Sequence, residues 1–179
     1  MPKSYPVGED EKVVRIMVYT IDALYWGDLV VKSQVRVSTW MRTNTAPDFF
    51  RLFDARLIYP GTGSQPQPLG FEELYVPTNQ VLAYHLMPPL KEPLDYDPSE
   101  PNRRMEPVSI IAGTYRINGN MRLSTQSSLG KYIDITKEEF TPIYDADIIN
   151  LITPSLGTVH AYFLLVRQHG VSFGITSKG

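Results

Sequence analysis

Tyr75–Leu86 reads YVPTNQVLAYHL and Leu165–Ile175 reads LVRQHGVSFGI. In each, a valine (Val76, Val166) is followed five positions later by a second valine (Val81, Val171), and an alternating stretch resumes. The residues between them favour tight turns. Proline presets φ at Pro77, Asn79 can bond its own backbone, and Gly170 accepts a positive φ. Thr78, Gln168 and His169 fill the rest. The shared rhythm predicts that each stretch is the last hairpin of a unit used twice.

Working outward, three more landmarks recur in the same order. An apolar strand ends in threonine at Thr20 (IMVYT) and at Thr114 (IIAGT). A glycine then opens an alternating strand, Gly27 in GDLVV and Gly119 in GNMRL. An aromatic–Asp–Ala segment follows, LFDARL around Asp54 and IYDADI around Asp145, so the glycine-to-aspartate separations are 27 and 26 residues. Such order predicts an internal duplication. Between the landmarks the apolar period is two, the mark of strands. VVRIMVYT puts Val14, Ile16 and Val18 on one face with Arg15 opposite, and QVRVSTW, SIIAGTY and NMRLST alternate likewise. AYFLLVRQ is a denser run, as expected of a strand covered on both faces. The only helical signal is TKEEF, a turn with Thr136 as N-cap.

The expected fold is all-β: two tandem small five-stranded barrels related by duplication, residues 1–87 and 108–179, joined by a Pro-rich linker at 88–107. Pro88, Pro89, Pro93, Pro98, Pro101 and Pro107 argue against regular structure in that linker. The alternative is a single β-sandwich of about ten strands. Tyr59–Gly70, YPGTGSQPQPLG, reads as a flexible loop.

Composition narrows the function. The chain has 179 residues, no cysteine and a net charge of −2. Thiolate chemistry and cysteine-held metals are excluded, and the absence of disulfides favours the cytoplasm. No apolar run reaches membrane-spanning length, and the N-terminus lacks the pattern of a signal peptide. A mildly acidic chain has no broad pull on phosphates. His85, His160 and His169 lack metal-ligand spacing, and no nucleophile elbow, P-loop or dinucleotide fingerprint is present. The Arg and Asp/Asn spacings of a PilZ-type cyclic-dinucleotide reader are also missing. Asp54 and Asp145 either form a paired acid site or, the simpler reading, face solvent at a turn. The expectation is no catalysis, cofactor or metal. The candidate interaction surface is Arg36, Trp40, Arg42, Phe49, Arg51, Arg56, Arg122 and Arg167, where aromatic and guanidinium groups could meet a partner. Outward arginines that keep a β surface soluble are the plainer account.

GNMRL with VRQHGV, and more loosely GDLVV with VPTNQV, resemble the two segments of the Sm-like small β-barrel superfamily, within the broader Sm/SH3-like class. RVSTW (Arg36–Trp40), VPTNQV and RLST (Arg122–Thr125) are similar to segments of a bacterial family with no established activity. The Sm-like resemblance implies nucleic-acid contacts from Thr125–Gly130 and Arg167–Gly170, although only the arginine of that last turn is kept. The function expected is a non-enzymatic scaffold or protein-interaction module, able to self-associate. The alternative is an Sm-like nucleic-acid-binding protein.

Overall fold

The computed structural model describes residues 5–61, 63 and 65–176. The expected domain ends at 1 and 179, and positions 62 and 64 of the Tyr59–Gly70 loop, lie outside the described residues. The chain is all-β. Its strands are β1 (Glu11–Tyr19), β2 (Leu24–Lys32), β3 (Phe49–Ile58), β4 (Leu69–Pro77), β5 (Ala83–Leu86), β6 (Arg103–Ala112), β7 (Tyr115–Ser124), β8 (Phe140–Asn150), β9 (Thr158–Arg167) and β10 (Ser172–Gly174). They form one antiparallel sheet in the order β10-β6-β7-β8-β9-β5-β1-β2-β3-β4. This continuous, unclosed sheet corrects the expectation of two separate barrels and stands nearer the single ten-strand alternative. The order is nonetheless periodic. Residues before the linker run β5-β1-β2-β3-β4, and those after it run β10-β6-β7-β8-β9.

The glycine and aspartate landmarks mark one device, built twice. Between β2 and β3 the register slips as Trp26 faces Arg56 and Asp28 faces Phe53. Between β7 and β8 it slips as Asn118 faces Asp147 and Asn120 faces Tyr144. At each slip the extra residue is an aspartate in left-handed backbone, Asp54 at φ 45° and Asp145 at φ 46°. Asp is one of the few side chains that adopts this conformation readily, and such bulges bend a strand sharply. The opposing glycine lets the bent strand approach. A Cβ on Gly27 would lie 2.9 Å from the Phe53 carbonyl oxygen, and one on Gly119 would lie 2.6 Å from Ile143 Cγ2. Gly27→Ala and Gly119→Ala should therefore each lower stability by about 1–3 kcal/mol, the usual penalty of overpacking. Urea titration checks this: the midpoint should fall with the slope unchanged.

The two opening stretches are not hairpins. Among the described residues β4 pairs only with β3, and β5 pairs with β1 and β9. β9 likewise has no pairing with β10, which lies beside β6. Each valine-flanked turn carries the chain from one edge of a four-strand meander to the other. Thr78–Gln80 does so as a 3-10 turn. Residues 168–171 do so between β9 and β10. From Pro77 to Leu82, whose N–H already bonds the Tyr19 carbonyl of β1, and from Arg167 to Ser172, the chain takes five steps, at most about 18 Å, whereas four strand spacings on a flat sheet amount to about 19 Å. Each five-strand unit must therefore be curled.

Other local expectations also give way. Val37–Arg42, expected to alternate as a strand, is a 3-10 helix (η1). Leu129–Ile135 is an α-helix (α1) whose N-cap is Ser128, and Thr136 closes it as C-cap. The linker ends at Asn102, since β6 begins at Arg103 and includes Pro107. Pro107 fits because, among the described residues, β10 reaches only Ser109–Ile111, leaving that section of β6 with one neighbour.

The two units meet through β5 and β9, where Tyr84 faces Leu165 and His85 faces Leu164. Strands at this seam are buried on both faces, as the density of AYFLLVRQ predicts. Ile16, Val18, Tyr84 and Leu86 enter one core together with Phe140, Tyr144, Phe163 and Leu165 from the second unit. Met17, Tyr19, Leu24 and Ala83 enter the other core with Ile110, Ile117, Leu164 and Val166. Each unit thus completes the core of its neighbour.

Candidate functional site

The seam shows what a free sheet edge in this chain lacks. β9 and β4 hold matching places in their units: Leu164 faces Ile143 as Leu74 faces Leu52, and Val166 faces Thr141 as Val76 faces Phe50. β9 is covered by β5, whereas β4 ends the sheet. The side chains differ accordingly. Phe140 and Leu165 are fully buried in the core across the seam. Their counterparts Phe49 and Tyr75 are 49% and 54% exposed and touch each other edge to face, with ring centroids 6.5 Å apart. Leu69 and Phe71 continue this exposed apolar row along β4. The backbone is open as well. Thr78 donates its N–H to the Asp48 carbonyl on the β3 side, so by alternation the N–H groups of Tyr75 and Glu73 point away from β3. At the far end of the sheet, β10 holds the place in its unit that β5 holds at the seam. Phe173 faces Ile110 of β6 as Tyr84 faces Val18 of β1.

The linker is a strap across both units. Glu92 accepts from the Val37 N–H at 3.0 Å, the Ser38 N–H at 2.8 Å and the Ser38 hydroxyl, so a carboxylate caps the start of η1. Asp95 accepts from Arg42 at 2.8 Å and from the Tyr144 hydroxyl at 2.6 Å. Arg122 lies over the Tyr96 ring at 4.3 Å and donates to Glu100 at 2.7 Å. Leu94 and Tyr96 pack on the core of the first unit.

These contacts divide the eight residues of the candidate surface into separate places. Phe49 and Arg51 share the β3–β4 face, where Arg51 pairs with Glu73 and lies over the Phe53 and Tyr75 rings. Arg56 lines a shallow groove with Asp54 and Glu72. Arg36 donates to the Pro93 carbonyl. Arg167 donates to the carbonyls of Val81 and Thr78, pairs with Glu139 and covers the Phe140 ring. Trp40 is half-buried and donates to the Thr45 carbonyl. Arg42 and Arg122 line one cleft of about 580 Å³ with Arg103 and Lys131. Burial pulls the Arg42 pKa down, and the Glu138 and Asp95 carboxylates outweigh it, so the net shift is upward. The eight residues thus lie in several separate places and not in one continuous arginine–aromatic patch. Arginines on a β surface find local acids and carbonyls before they find each other.

Asp54 and Asp145 are both exposed. Asp145 lines a pocket of about 400 Å³ with Leu86, Glu92, His160 and Phe163 beneath the strap. His160 bonds Asp147 at 2.9 Å on the surface, and His85 is buried at the seam. Among the described residues no three His, Asp or Glu side chains gather as a metal site, and no helix is long and apolar enough to cross a membrane. Sequence reasoning missed Tyr75 and Lys131. Tyr75 was legible as an aromatic on an edge strand, but only once β4 is known to be an edge.

Comparison with protein-family models, curated proteins and solved structures finds no match to this chain.

Proposed function

We propose that this protein is a non-enzymatic, cytoplasmic assembly module, made of two duplicated, curled five-strand units, that associates with further copies of itself. The edge strand β4 of one copy receives β10 of the next, so the internal seam recurs between chains. The observation that carries this is the exchange at matching positions: Phe140 and Leu165 are buried where a neighbouring unit covers them, and Phe49 and Tyr75 are exposed where none does. Transferring the seam register pairs Tyr75 with Phe173 and Leu74 with Gly174 of the second copy. Such a contact joins two different surfaces, so it grows into a ring if the rotation closes and a filament if it does not. An uncovered apolar edge of this length otherwise invites uncontrolled pairing.

Light scattering on a size-exclusion column tests the proposal. The wild type should have a mass that is a multiple of 20.3 kDa. Tyr75→Pro removes one outward N–H at an edge position that tolerates proline and should give the monomer. Tyr75→Ala keeps the N–H and should retain weaker association. A wild type that stays monomeric at its highest soluble concentration would sink the proposal.

A further inference from the structure

The cleft between η1, the strap and α1 gathers positive charge in a chain whose net charge is −2. Arg42, Arg103, Arg122 and Lys131 line it, with Ser124 and Ser127 beside them. Two carboxylates, Asp95 and Glu138, line it with them, and Glu100 and Asp97 lie beside Arg122. Arg103 and Arg122 share Glu100, at 3.4 and 2.7 Å. Lys131 makes no ion pair among the described residues. Two guanidinium groups are also held in place beforehand. Arg42 is fixed by Asp95 on one side and Glu138 on the other, and Arg122 rests on the Tyr96 ring, itself edge-on to Tyr144 at 5.1 Å. Fixed forks of this kind match phosphate oxygens, and holding them in advance lowers the entropy lost on binding. Ser124 Oγ accepts from the Gln126 N–H at 3.3 Å, which leaves its own hydroxyl proton to donate.

The size and isolation of the cleft select the ligand. About 580 Å³ lies within the range of small-molecule sites. A nucleic acid strand would need the positive track to continue, yet Arg36, Arg51 and Arg167 are engaged with carbonyls or acids elsewhere. We propose that the cleft binds a small phosphorylated molecule, its phosphates held between Lys131, Arg103 and the side of Arg42 that Glu138 occupies. Glu138, whose side chain is 49% exposed, is the carboxylate that an arriving phosphate displaces.

Titration calorimetry at low salt with pyrophosphate, with ADP and with a short single-stranded RNA tests this. Pyrophosphate and ADP should bind at one site per chain, and the RNA should bind no tighter than pyrophosphate. Lys131→Glu, an exposed substitution that should leave thermal melting unchanged, should weaken both small ligands at least about tenfold, equivalent to 1.4 kcal/mol. Glu138→Gln should tighten them. The proposal is overturned if neither small ligand binds, if Lys131→Glu leaves their affinity unchanged, or if RNA binds more tightly through Arg51 and Arg56.

Discussion

Expressed alone as monomers, residues 1–102 and residues 103–179 should each fail to form a stable fold. The reason is the exchange of side chains at the seam. Without the second unit, the core holding Ile16, Val18 and Tyr84 loses Phe140, Tyr144, Phe163 and Leu165. Without the first, the core of Ile110 and Ile117 loses Met17, Tyr19, Leu24 and Ala83. Burying one large apolar side chain is worth roughly 1.5–3 kcal/mol, so either loss is on the order of 10 kcal/mol. That equals the whole stability of an ordinary domain, about 5–15 kcal/mol. Co-expressed, the two pieces should copurify in equal amounts with the circular dichroism of the intact chain. Two soluble, monomeric fragments with separate cooperative unfolding transitions would contradict this account.

The second large effect is acid sensitivity centred on His85. This residue is fully buried in β5. The Leu86 carbonyl can only accept, so Nδ1–H donates to it at 2.8 Å and Nε2 accepts from the Tyr19 hydroxyl at 3.0 Å. The neutral ring meets both partners, and a second ring proton could reach only the Tyr19 oxygen, whose own proton would then turn to Met17 Sδ at 3.1 Å. Burial pushes the pKa down to about 4 from an ordinary 6.5, against a small opposing pull from the Leu86 carbonyl. The unfolded chain therefore binds a proton at higher pH than the folded one. The stabilising contribution is complete above pH 6.5 and is lost progressively as pH falls towards 4, amounting to about 3 kcal/mol. Urea unfolding at a series of pH values should show this decline. His85→Asn, which retains one donor and one acceptor, should begin less stable and flatten the slope in this window. An unchanged slope in that variant would assign the acid effect to other groups.

The parts of the fold legible in the sequence are those set by local sterics. Asp54 and Asp145, each facing a glycine, announce the same bulge because only a few residues accept a left-handed backbone and only glycine lets the bent strand approach. Period-two alternation finds β1, β2, β6 and β7 for the same local reason. Partnership is not local. The Val76–Val81 and Val166–Val171 stretches carry turn residues, but nothing in them says whether the next strand folds back or crosses to the far edge. Arg36–Trp40 alternates like a strand, yet a carboxylate 55 residues from Val37 in sequence, Glu92, caps it as a helical turn. Ser128 was an available N-cap signal for α1, obscured by Gly130 within the helix. The eight-residue candidate surface contained Phe49 but not Tyr75, because the edge that exposes them is fixed by strand order and not by composition.

Disulfide trapping tests the central claim most directly, since the chain has no native cysteine to interfere. Leu74 and Gly174 belong to the edge strands β4 and β10 at opposite ends of the sheet order, and the transferred register sets them face to face across two copies. A Cβ at Gly174 comes no nearer than 3.7 Å to its neighbour, the Ser109 carbonyl oxygen, and directly opposed antiparallel residues lie within disulfide reach. The account predicts that mild oxidation of the Leu74→Cys, Gly174→Cys double variant yields a ladder of covalently joined chains that collapses on reduction, with neither single variant going past a pair. A folded double variant that runs as one uncrosslinked chain after oxidation would contradict it.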